Sequence, residues 1–194
     1  MEKANAVESM EAGVSRGGQM IEGGMAHGRF TAECRGPDGE LKWSEDFENT
    51  VVTEGKNQML ESGLRTTTTV VGPFLGLISS ASYSAISAAD TQASHAGWLE
   101  AGTTNAPQWT TPAAGARGAP TMAAASSGAM AFSAAVTFSI STSGTIKGCF
   151  LVFSTGAVAT NLSTAGKLWS AGLFAADKVV SSGDTLSVSY STSL

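Results

Sequence analysis

Charge is scarce in this chain of 194 residues: Asp, Glu, Lys and Arg make up 14% of it, against ~25% in an ordinary soluble domain. The 11 basic residues are scattered and the net charge is −5. No Lys/Arg stripe is therefore available to displace phosphate counterions, and a direct nucleic-acid-binding role is not expected. No window holds 18 uninterrupted apolar residues, and the amino terminus lacks a basic region followed by an apolar run. The expectation is a protein made in a cytoplasm and not inserted in a membrane. Cysteine is limited to Cys34 and Cys149, without a CxxC or Cys/His cluster, and both read as small apolar fillers of strands. With His27 and His95 the only histidines, a structural zinc site is short of ligands. Neither a calcium-loop pattern nor a phosphate loop is present, since Gly17-Gly18 and Gly23-Gly24 have no following Lys-Ser/Thr. No cofactor and no metal are expected.

What is abundant is small and uncharged. Hydrophobic residues reach 42%, enough for a core, and 23 residues are glycine. The length suits one domain with an appended arm. Residues 1–28 read as that arm, because Gly13, Gly17-Gly18 and Gly23-Gly24 interrupt short segments with isolated Met and Ile. Such a terminus is ordered only where something ties it down, and a neighbouring subunit is the expected anchor. Its apolar residues Met20, Ile21 and Met25 are candidate partner contacts.

From Arg29 the pattern alternates, with Phe30, Ala32 and Cys34 on one face and Thr31, Glu33 and Arg35 on the other, the period of a half-buried strand. Gly36-Pro37-Asp38-Gly39 supplies turn chemistry, and Leu41 and Trp43 return as the second strand of a hairpin. A helix is expected from Thr53, carrying Met59, Leu60 and Leu64, with Gly63 ending it. Phe74–Ile78 reads as a buried strand, 79–89 as a polar loop and 101–130 as a surface excursion. Strands are then expected over 131–140, 146–154, 167–175 and 185–192, separated by turns such as Ser143-Gly144 and Ser182-Gly183-Asp184. This predicts a mainly β fold: an antiparallel β-sandwich or jelly roll over residues 29–194, with one short helix and an extended amino-terminal arm.

The segment from Asp90 to Glu100 brings a carboxylate, a hydroxyl and an imidazole together. Asp90, Ser94 and His95 can be drawn as a triad. No Gly-x-Ser-x-Gly elbow accompanies them, and the favoured reading is that Asp90 and Thr91 bond nearby backbone N–H groups while His95 satisfies a loop. Glu45, Asp46 and Glu48 read as a solvated strand edge rather than a glycosidase pair. Trp43 and Trp169 belong to alternating strands and hence to the core. Trp98 and Trp109 lie in less regular sequence and are expected at an interface, as is Arg117. No catalytic residue is expected.

Several stretches together resemble a family of tailed-bacteriophage virion proteins associated with capsid decoration or cement. They are Phe30-Thr31-Ala32-Glu33-Cys34-Arg35 with Asp38-Gly39 and Lys42-Trp43, Asn49-Thr50-Val51-Val52-Thr53-Glu54-Gly55, Phe74-Leu75-Gly76-Leu77, and Ala89-Asp90-Thr91 with His95-Ala96-Gly97-Trp98-Leu99-Glu100. Gly148-Cys149-Phe150-Leu151 and Gly183-Asp184-Thr185-Leu186-Ser187-Val188 complete the set. The likeness runs in order through residues 29–194 and leaves the arm uncovered. After Trp98, where the family carries a more polar Tyr/Arg segment, this chain has Ala114-Gly115-Ala116-Arg117-Gly118-Ala119-Pro120. The resemblance implies a structural virion protein on the capsid surface, with the major capsid protein and further copies of itself as partners, and no enzymatic activity. A neck, tail or tail-fibre adaptor, or a glycan-binding module at the tail using Trp98 or Trp109 for stacking, are the alternatives.

Overall fold

The computed structural model describes residues 26–65 and 69–193. Ten strands and one helical segment follow the chain as β1 (His27–Arg35), β2 (Leu41–Val51), α1 (Thr53–Leu60), β3 (Phe74–Ser79), β4 (Leu99–Glu100), β5 (Gln108–Thr111), β6 (Ala129–Ala131), β7 (Val136–Thr142), β8 (Gly144–Phe153), β9 (Lys167–Val180) and β10 (Thr185–Ser193). All pairings are antiparallel, in the order β4-β3-β8-β9-β2-β1-β10-β7-β5, with the short β6 also on β10. Instead of two separate sheets, the hydrogen bonding forms one ten-stranded sheet curled into a half-barrel. β2 makes the corner. Its Leu41–Glu48 part pairs with β1, and Asn49–Val51 pairs with β9.

The first hairpin follows from its sequence. In β1, Phe30, Ala32 and Cys34 are buried while their neighbours face outward. The turn closes through Gly39 N–H donating to the Gly36 carbonyl at 2.9 Å, with Gly39 at φ +84°, where a Cβ would be strained. Facing halves of the curled sheet enclose the main core, in which Phe30, Cys34, Leu75, Phe138, Leu151 and Leu186 meet. A second cluster lies on the other side of β8, where Phe150 and Val152 pack with Trp98, Ile78 and Leu168. Thus β8 is buried on both faces, which accounts for the unbroken apolar run Cys149–Val152.

Several expectations are corrected. β1 begins at His27, inside the segment read as an arm. Gly63 does not end the helix, because α1 continues through a π-helical turn, Glu61–Arg65. The helix buries Gly55 and Gln58, while Leu60 and Leu64 face outward. Gly55 lies so close to the Trp169 backbone of β9 that a Cβ there would strike it. The acidic run lies on the part of β2 that pairs with β1 alone, and beyond that pairing side-chain bonds rather than ladder bonds tie it to its surroundings. Glu45 pairs with Lys178 at 2.6 Å and accepts the Ala175 N–H, and Asp46 pairs with Arg29 at 2.9 Å. The 101–130 excursion is woven into the body, with β5 on β7 and a bridge from Gly118 to Leu75.

Candidate interaction groove

The side chains singled out as partner contacts within the body are core instead. Trp98 is fully buried, and Trp109 and Arg117 are each 1% exposed. Expected exposure is overturned in each case by a partner that only the fold supplies. Trp98 packs on Phe150, and its indole N–H donates to Asp90 Oδ2 at 2.9 Å. Trp109 meets Phe138 edge-on, and its indole N–H donates to the Ala116 carbonyl at 2.7 Å. Arg117 forms a two-pronged pair with Glu100, from Nε to Oε1 and from Nη2 to Oε2, both at 2.8 Å. Nη2 also donates to the Ser163 carbonyl, and Glu100 Oε2 accepts the Leu162 N–H. This buried pair ties the 99–118 region to the 158–163 loop. Met20, Ile21 and Met25 lie outside the described residues.

The Asp90 to Glu100 segment does not assemble a triad. Asp90 Oδ2 accepts the Ser87 N–H as well as the Trp98 indole. His95 stacks on Trp98 with ring centroids 3.8 Å apart, and its Nδ1 sits 3.1 Å from the Trp98 carbonyl. Thr91 and Ser94 close a tight turn on each other through backbone and side-chain bonds. The carboxylate and hydroxyl thus serve as turn and capping groups, in line with the favoured sequence reading.

Cys34 and Cys149 are both buried free thiols. Burial, together with the charge of Asp184, pushes Cys34 up to about 12, and its Sγ lies 3.6 Å from Asp184 Oδ2. Burial alone raises Cys149 further. Asp184 itself is pulled up by burial, but the Lys42 ammonium at 2.5 Å and the Ser181 N–H outweigh this and hold it below the ordinary carboxylate range. Among the described residues no group of three or more His, Cys, Asp or Glu side chains converges to hold a metal ion.

An apolar groove of about 650 Å³ lies at the end of the sheet where β1 begins and β10 ends. Leu151, Phe153, Trp169 and Tyr190 contribute from the strands. At its floor the Trp169 indole N–H donates to the Tyr190 hydroxyl at 2.8 Å, and the Asn49 amide donates to the same hydroxyl at 3.0 Å while Asn49 Oδ1 is left without a partner among the described residues. Met59 from the end of α1, Val70 from the following loop, and Met122 and Met130 from around β6 make the walls. On the same helical segment and loop, Leu60, Val70 and Leu64 are 55%, 51% and 80% exposed.

Sequence reasoning did not single out this groove. Its residues come from six separate stretches of chain that only the curl of the sheet brings together. One signal was present: Met59, Met122 and Met130, the three methionines of the described residues, all line it, and the other four, at positions 1, 10, 20 and 25, fall in the amino-terminal segment. Compared with protein families, characterised proteins and solved structures, the chain matches none.

Proposed function

We propose that the protein is a structural virion component that binds the outside of a tailed-phage capsid in many copies, as a decoration or cement protein, and stabilises contacts between capsid subunits. The observation that carries the gripping role is the exposure of Leu60 and Leu64 on the helical segment beside the apolar groove, 55% and 80% open to solvent. Large apolar side chains left uncovered on a folded body suit a protein-contact site. Placement on a virion rests on the family resemblance through residues 29–194. A clamp of this kind needs no catalytic centre. It needs extended contact, of the order of 1,200–2,000 Å² for a stable specific interface, and a surface whose ordering costs little entropy. A surface poor in Lys and Glu meets the second requirement.

The major capsid protein and further copies of this chain are the proposed partners, and the virion surface is the proposed location after synthesis in the host cytoplasm. The finer description of the body as a jelly-roll sandwich belongs to the same proposal: the curled sheet encloses its core between two facing halves, as a sandwich does. Burial of Trp98 and Trp109 removes the stacking platforms on which a glycan-binding reading depended. The test is stoichiometry in purified particles, measured by mass spectrometry against the major capsid protein. Hundreds of copies per particle are expected. A ring number, of the order of six or twelve for a cyclic assembly, would replace this reading with a neck or tail adaptor.

A further inference from the structure

We propose that the apolar groove is a docking site for the chain's own segment Met20–Met25, which pins the root of the amino-terminal arm to the body. Three observations point to this occupant. The first is position. β1 starts at His27 opposite Ser193, and Thr192 and Ser193 line the groove. A smaller hollow lined by His27, Gly28, Thr192, Ser193 and Ala129 joins that entry point to the groove wall. The second is reach. From β1 across β10 to β6 is two strand spacings, roughly 10 Å. The steps from Met20 to Ala26 span up to about 20 Å when extended. The segment is long enough to cross and lie along the groove, and Gly23-Gly24 lets it bend between its two apolar parts.

The third is chemistry. The wall is apolar and rich in methionine, and the segment offers Met20, Ile21 and Met25 with one charge, Glu22, between them. Unbranched thioether side chains fill irregular apolar space without demanding a fixed shape, so methionine on both sides suits this contact. Tethering also favours a segment of the same chain, because its effective concentration at the groove is in the millimolar range for a short link. The inference draws its purpose from the gripping role proposed above. The contact itself rests on the groove.

Cysteine pairing in the full-length protein tests it without any virus particle. The double variant Ile21→Cys with Val70→Cys, mildly oxidised at low protein concentration, should form an intrachain disulfide between positions 21 and 70. Ile21→Cys with Asp38→Cys, at the far end of β1, should not. The buried thiols of Cys34 and Cys149 leave the background low. Cross-links between chains, or equal linking to position 38, would overturn the proposal. As a second readout, the full-length variant Met20→Asp with Ile21→Asp should raise peroxide oxidation of Met59, Met122 and Met130 several-fold over wild type. Unchanged rates would also overturn it. Particle stoichiometry is independent of both measurements, so a failure here is distinct from a failure of the proposed function.

Discussion

Arg117 and Glu100 are both buried, and each satisfies the other. Removing one partner leaves an uncompensated buried charge, which typically costs 3–5 kcal/mol, whereas replacing both by apolar groups is often close to neutral. Arg117→Met should therefore lower the unfolding free energy by roughly 3–5 kcal/mol, and Arg117→Met with Glu100→Leu should recover most of the loss, as read from denaturant midpoints. Asp184 yields a pH signature. Its folded carboxyl titrates below the unfolded value of ~3.9, so its stabilisation is present above that pH and disappears as pH falls through the folded value. Asp184→Asn should lower stability at neutral pH and flatten the decline below about pH 4, followed by thermal melts across pH. The roles of these residues were not legible in the sequence. Arg117 sits in an Ala/Gly stretch that reads as surface, and its partner lies 17 positions away on β4.

Among the elements, α1 shows how close approach competes with propensity. Alanine exceeds glycine in a helix by about 1 kcal/mol, so propensity alone predicts that Gly55→Ala stabilises. The added Cβ would meet the Trp169 carbonyl oxygen, with its Cα at 2.9 Å, and backbone cannot swing aside as a side chain can. Overpacking of this kind costs ~1–3 kcal/mol, and the net effect of Gly55→Ala should be destabilising, measured as a lower denaturant midpoint. The first hairpin was legible because its alternation and its Asp38-Gly39 turn are local. The strands β8 and β10 were placed within a residue or two of their expected ranges, and β9 at its start, for the same reason. β4, β5 and β6 were not foreseen. They are two to four residues long and exist because longer neighbours offer them an edge. The helix misled for another reason: its apolar residues Leu60 and Leu64 face away from the core, so the face that packs is marked by Gly55 and Gln58 instead.

Taken as a whole, the molecule is a curled sheet with an apolar groove beside the point where the chain enters β1. Deleting residues 1–25 removes none of the strands or buried side chains described above. The truncated protein should keep the far-ultraviolet circular dichroism of a β protein yet fail to stay on purified shells, measured by co-sedimentation. Undiminished occupancy would show that the arm takes no part in gripping. What the order of residues by itself determined was the class of the fold, because period-two alternation and glycine turns act over a few neighbours and need no distant partner. The single continuous sheet, the burial of Trp98, Trp109 and Arg117, and the groove were decided only by tertiary structure. Each depends on side chains far apart in the chain arriving at one place once β2 turns the corner from β1 to β9.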